Sequence, residues 1–300
     1  MDRRSFLRYS ALVSGGVLVA PGVFANGNAD TKNSLTILHT NDTHSNIDPF
    51  PDNHARYPGK GGVARRYELI QSIRKEEGNV LLLDAGDIFQ GTPYFNKYGG
   101  LLEMKLMTEL GYEAATMGNH DFDAGLEGFV KACEHANFPF LCANYNFKNT
   151  PIDGVTQKLT VLQKGAIKVG VFGLGVELEG LVPKGKFGET KYIDPIDIAN
   201  DCSKELKSRG CDLVICLSHL GYEYNSNKVS DRQLANKTKD IHLIIGGHTH
   251  TFLNRPTEEK NMDGKSVLIN QVGWAGVNIG RVDFHFDKKK FAKKDALIVE

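Results

Sequence analysis

An excess of charge of either sign is missing from this sequence: 36 Lys and Arg residues balance 36 Asp and Glu residues over 300 positions. No global field therefore favours a nucleic acid polymer or an anionic membrane surface as partner, and the lysine-rich residues 288–294 read as a solvated tail. A Cys-x-x-Cys pair is also missing. The five cysteines, Cys133, Cys142, Cys202, Cys211 and Cys216, are scattered. An odd number leaves at least one thiol free, and Cys142 and Cys216 sit in apolar runs where the thiol acts as a small hydrophobe, which argues against a disulfide scaffold. No apolar run reaches the ~20 residues of a confident membrane span, no internal repeat is evident, and there is no Gly-x-Ser-x-Gly nucleophile elbow.

Two glycine-rich stretches approach nucleotide-binding motifs and fail. Residues 180–186 have P-loop spacing, but Phe187 replaces the required Ser or Thr and Pro183 interrupts the run, so they read as a surface loop. Gly173-Leu174-Gly175 follows a strand, but the third glycine of a dinucleotide fingerprint would fall at Leu178.

What is present is an ordinary globular composition, 41% hydrophobic and 24% charged. Residues 1–25 stand apart: Arg3-Arg4-Ser5-Phe6-Leu7-Arg8, a short apolar stretch and Val23-Phe24-Ala25 resemble a bacterial twin-arginine export signal. A Sec signal or an uncleaved anchor are the alternatives; the signal reading makes the export machinery a partner and the periplasm or exterior the destination. A polar linker, residues 26–34, follows. Residues 35–287 then form one domain, and residues 288–300 a polar tail.

Within that domain apolar runs alternate with helical patterns. Strands are expected at 35–39, 80–83, 114–117, 160–163, 168–172, 213–217, 242–245, 267–271 and 278–286, and helices at 63–77, 101–110, 126–136, 196–207 and 234–239. Alternation of this kind predicts an α/β protein, and the hairpin around Gly165 and the late strands predict mixed sheets.

Five of the strand ends carry Asp, Asn or His. Gly118-Asn119-His120-Asp121-Phe122-Asp123 is the densest; Asp42 and His44, Asp87, His219, and His248 and His250 supply the rest. Functional groups in α/β folds gather at the carboxyl ends of strands. The i, i+2 pairs Asp42/His44 and His248/His250 would each point to one side in extended backbone and grip one ion. Mixed carboxylate, imidazole and amide donors suit Zn, Mn, Fe or Ni better than Ca or Mg. Singly, each Asp is as well explained as a helix cap; five clusters in order are not. The remaining histidines, His39, His54, His135, His242 and His285, read as core or surface residues.

In order, Asn41-Asp42-x-His44, Gly86-Asp87-x-x-Gln90-Gly91-Thr92, Gly118 to Asp123, Ser218-His219-x-Gly221 and Gly247-His248-Thr249-His250 resemble the calcineurin-like metallophosphoesterases, and more narrowly the catalytic domain of the 5'-nucleotidase family. The resemblance implies a four-layer α/β/β/α sandwich with two mixed sheets and two divalent metal ions, zinc or manganese first, with iron, cobalt or nickel as alternatives. It implies that Asp42, His44 and His250 bind one ion, that Asn119, His219 and His248 bind the other, and that Asp87 bridges them. It further implies that His120 and Asp123 are a catalytic dyad and that a metal-activated water attacks a phosphoester, with a nucleotide as the expected small phosphorylated substrate. Asp121 reads as a cap or supporting carboxylate. The nucleobase-stacking C-terminal domain of full-length relatives is not found in these residues, so a separate nucleotide-binding protein is a possible partner. The alternatives are a phosphodiesterase or sugar-nucleotide pyrophosphatase with the same centre, and a non-catalytic metal-binding subunit.

Overall fold

The computed structural model describes residues 34–287 and 290–299; the expected export signal and linker lie outside them. The first half contains β1 (Ser34–Thr40), α1 (Val63–Glu76), β2 (Val80–Asp84), α2 (Pro93–Tyr98), α3 (Leu101–Leu110), β3 (Ala114–Thr116), α4 (Gly125–Cys133), β4 (Phe140–Leu141) and β5 (Tyr145–Asn146). Then come β6 (Leu159–Lys164), β7 (Ile167–Leu174), α5 (Lys184–Phe187), β8 (Lys191–Tyr192), α6 (Pro195–Ser208), β9 (Leu213–Ser218) and α7 (Asp231–Lys237). Strands β10 (Leu243–Gly246), β11 (Thr257–Lys260), β12 (Ser266–Asn270), β13 (Ile279–Asp287) and β14 (Lys290–Val299) complete the fold.

The strands make two six-stranded sheets, ordered β14-β13-β1-β2-β3-β4 and β11-β12-β10-β9-β7-β6, and β5 pairs with β8 alone. In the first sheet β1 to β4 run parallel, while β13 is antiparallel to β1 and β14 to β13. In the second, β12, β10, β9 and β7 run parallel, with β11 and β6 antiparallel at the edges.

The apolar runs are continuous because both faces of each sheet are covered. Alternation then divides them. Leu35, Ile37, Leu81 and Leu83 pack against Val169, Val171, Ile215, Leu217 and Ile245 between the sheets. Their neighbours Leu38 and Leu82 face outward onto Ile70 and Ile73 of α1 and Met104 and Met107 of α3. Across the molecule Phe172, Val214, Cys216 and Ile244 meet Ala199 and Leu206 of α6 and Leu234 of α7. The result is the expected α/β/β/α sandwich.

Three local expectations need correction. Residues 290–299 are not a polar tail but strand β14, paired with β13 at nine positions with a register shift between His285 and Phe286; a lysine-rich start suits an edge strand, and Ile298 and Val299 are β-formers. The loop at 180–186 contains the single turn α5, anchored by Val182 and Phe187 in the core. The helix expected at 234–239 begins at Asp231, where Ser230 caps it by accepting from the Gln233 N–H.

Candidate metal centre

The parallel strands β1, β2, β3, β9 and β10 bring their carboxyl ends together, and the loops that leave them are cross-tied. Asp42 N–H donates to Gly86 O at 2.8 Å, His44 N–H to Asp87 O at 3.0 Å and Ser45 N–H to Ile88 O at 2.8 Å, so the loops after β1 and β2 run side by side. Asn41, to which the sequence pattern assigns no task, donates from its amide to Asp42 Oδ2 and Gly273 O, both at 2.6 Å, and accepts from Val272 N–H at 3.0 Å. Its position next to Asp42 in the motif was the available signal.

Asp121 ties the loop after β2 to the loop after β3. Fully buried, its carboxylate accepts from the N–H groups of Asp87, Ile88, Phe89 and Gly118 at 2.8–3.1 Å. It supports the centre rather than entering it. Gly118 is required by close approach: a Cβ there would lie 2.1 Å from Asp87 Oδ1. Its backbone is not in the left-handed region, so space rather than φ demands the glycine.

Ligand-type atoms converge in two groups that share Asp87. Asp42, His44, Asp87 and His250 form one, and Asp87, His219 and His248 the other, with atoms within 4.8 Å of one another in each. Asp42 Oδ1 is 3.3 Å from His250 Nε2 and 4.0 Å from His44 Nε2, and Asp87 Oδ2 is 3.1 Å from His219 Nε2. Asn119 joins the second group through its Oδ1, 2.8 Å from His248 Nδ1. The i, i+2 argument is corrected in two ways. Asp42, His44, His248 and His250 all have positive φ, 46° to 72°, rather than extended backbone, and His248 and His250 divide between the groups.

These atoms suit cations. Five of the ten non-glycine residues with positive φ among the described residues are candidate ligands, Asp87 being the fifth; such conformations cost about 1–3 kcal/mol each and cluster where function over-determines them. His219 Nε2 is buried with only the carboxylate oxygens of Asp87 and Asp42 facing it, at 3.1 and 3.8 Å, and Nε2 of His44 and of His250 face each other at 3.1 Å. Burial holds His44 below the usual imidazole range and lowers His248 to about 4, so both keep a lone pair for a metal at neutral pH. Burial also opposes charge on Asp87 and His219, but their mutual contact wins, holding the carboxyl down and the imidazole up. A divalent cation would take the place of the proton that such a buried pair holds between its members.

His120 and Asp123 stand at the rim. Asp123 Oδ2 lies 2.8 Å from His120 Nδ1, and the two side chains are 39% and 27% exposed. The hydrogen bond to Asp123 raises the His120 pKa. The imidazole sits edge-on to His44, with centroids 5.2 Å apart, and His120 N–H donates to Asp87 Oδ1 at 2.8 Å. All nine residues expected at the site are therefore together. Among the aromatics that follow Asp87, Phe89 is fully buried, whereas Tyr94 and Tyr98 line an open groove of about 540 Å³ with Phe50 and Pro49.

Comparison with known proteins gives the same picture. The profile of the family described as calcineurin-like phosphoesterase matches residues 35–252. A snake venom 5'-nucleotidase from Gloydius brevicauda is 34% identical over 276 residues, 85% of this chain and 46% of its own length, and the Rattus norvegicus 5'-nucleotidase is 35% identical over 277 residues, 85% and 47%. The chain thus spans about half the length of these curated relatives. The crystal structure of a Thermus thermophilus 5'-nucleotidase precursor superposes with a TM-score of 0.81 at 33% identity, covering 89% of this chain and 54% of that one. The phosphoesterase YfkN from Bacillus subtilis superposes with a TM-score of 0.71 at 26% identity, covering 89% and 90%. A shared two-sheet fold, five strand-end motifs in order and a profile match over most of the domain lead to one conclusion: the chain belongs to the calcineurin-like phosphoesterase family.

Proposed function

We propose that this protein is an exported, dinuclear metal-dependent phosphoester hydrolase, acting as a 5'-nucleotidase-like phosphomonoesterase. The observation that carries the reading is the sharing of Asp87 by two ligand groups. Asp42, His44 and His250 would hold one ion, Asn119, His219 and His248 the other, and Asp87 both. Such a pair, when bound, acidifies a water and neutralises phosphoryl charge. Asn119 contributes a neutral amide oxygen, limiting negative charge where an anionic substrate must approach. His120, whose pKa the hydrogen bond to Asp123 raises, is placed to hold a phosphoryl oxygen or to give a proton to the leaving oxygen, and Asp123, by accepting at Nδ1, leaves Nε2 for that task.

The metal-loaded chain is expected to carry two ions and to hydrolyse an aryl phosphate. His120→Ala should keep both ions and lose about 10²–10⁴-fold in turnover; loss of metal in that variant would remove His120 from the chemistry and place it among the ligands. A metal-loaded wild type with no turnover would favour the non-catalytic subunit reading, with a separate nucleotide-binding partner. A diester specificity is the alternative, and a relative's name leaves the ester class open. The Bacillus subtilis relative named trifunctional nucleotide phosphoesterase is 31% identical over 294 residues, 19% of its own length. Assaying nucleotide monoesters beside a cyclic nucleotide separates the two. The arginine pair and apolar run of residues 1–25 support the export reading, and fractionation of expressing cells tests it.

A further inference from the structure

Two of the four imidazoles at the centre have their ring planes set by a hydrogen bond between Nδ1 and a backbone carbonyl, and a third meets at Nδ1 the side chain of Asn119 from its own ligand group. The partner is Phe89 O for His44 at 3.2 Å, Ala85 O for His219 at 2.6 Å and Asn119 Oδ1 for His248 at 2.8 Å. His250 has no such bond among the described residues. Its Nε2 faces Asp42 Oδ1 and His44 Nε2, and its side chain is 40% exposed, the most open of the set. Metal-binding imidazoles almost always have their second nitrogen engaged, because that bond selects the tautomer and stops the ring from turning. A ring that must present one nitrogen and lacks that bond needs another restraint.

The restraint is visible in the turn between β12 and β13. The Trp274 indole stacks on His250 with ring centroids 5.9 Å apart and planes only 11° from parallel. The indole is itself held. Ala275 N–H donates to Asp42 O at 2.7 Å, so the turn is pinned to the residue whose carboxylate faces His250. Phe50 meets the indole edge-on at 5.9 Å, and it belongs to the loop at 47–62, whose Tyr57 stacks on Phe252 at 5.9 Å. Next to Trp274 in the chain, Gly273 leaves no room for a Cβ, which would lie 2.2 Å from the Phe252 ring.

We propose that Trp274 is the positioning residue for His250, an aromatic face doing for this imidazole what backbone carbonyls do for His44 and His219. The inference rests on the reading of Asp42, His44, Asp87 and His250 as a divalent-metal site. It makes the two sites unequal: one is oriented entirely by hydrogen bonds, the other partly by a stacked indole. Because Trp274 is the sole tryptophan of the chain, the protein also carries its own reporter of occupancy at that site.

The test is metal binding to the full chain, stripped of metal and titrated with Zn²⁺ or Co²⁺ against a chromophoric chelator. Wild type, Trp274→Leu and Trp274→Phe are compared, with circular dichroism melts run on each. One of the two binding steps should weaken about 10–100-fold in Trp274→Leu, the other should stay in place, and Trp274→Phe should recover most of the loss. In wild type, tryptophan emission should follow one binding step and ignore the other. Two unchanged steps in Trp274→Leu overturn the inference alone. Equal weakening of both steps together with a lowered melt overturns it in favour of a general packing role. A wild type that binds fewer than two ions overturns the dinuclear reading and this inference with it.

Discussion

Single atoms decide how the centre closes. At Gly118 a methyl group would sit 2.1 Å from Asp87 Oδ1 and 2.6 Å from Asp87 N, against backbone that four hydrogen bonds to Asp121 hold in place. Gly118→Ala is therefore expected to displace the carboxylate that both ligand groups share, halving or abolishing metal content by elemental analysis while the rest of the fold survives. Asp231 offers a different kind of test. It is fully buried, its Oδ1 accepts from Ser218 Oγ at 2.5 Å, its Oδ2 has no partner, and burial pushes its pKa up to about 8. Unfolded, the group ionises near an ordinary ~4. Between those values the unfolded chain releases a proton that the folded chain keeps, so this residue's contribution to stability falls as pH rises. Asp231→Asn removes that dependence. In urea unfolding from pH 4 to 8, the variant should gain on wild type as pH increases, and parallel curves would show that Asp231 is ionised in the folded protein.

The elements themselves are simple and their connections carry the precision. Asp121 holds four N–H groups from two loops, and its removal strands them in a buried place at about 1–3 kcal/mol each. Asp121→Ala should lower the unfolding free energy by more than about 3 kcal/mol and release metal, read by denaturant titration and metal analysis; a loss confined to activity would contradict it. This also marks how far the sequence was legible. Strands such as β2, Val-Leu-Leu-Leu-Asp, and the helices that cover them follow from periodicity, and the ligands follow from residue type at strand ends. Left-handed backbone at Asp42, His44, His248 and His250 does not, because non-glycine residues adopt it only when surrounding contacts force them. The separation of His248 from His250 came from the family resemblance and against the i, i+2 argument, and the four-fold acceptance by Asp121 depends on loops meeting from different strands, which no local pattern encodes. Strand β14 was hidden for the opposite reason: its lysines describe an edge, and an edge strand looks like a tail until its partner is known.

At the scale of the whole molecule, the order β13-β1-β2 places the first strand of the domain between its neighbour in sequence and one of its last strands. Thr36 Oγ1 donates to Asp283 Oδ1 at 2.6 Å across 247 positions. A chain ended at residue 278 loses Val282 and Phe284 from the layer between the sheets and bares one side of β1. Such a chain should be insoluble or should unfold without cooperativity in a calorimeter; a sharp transition would mean that β1 to β12 fold alone. The same arrangement sets a clock on biosynthesis. At roughly 5–20 residues per second, the ribosome takes tens of seconds to deliver β13 after β1 has emerged, and for that interval the edge of an apolar strand is covered only by solvent or by a chaperone.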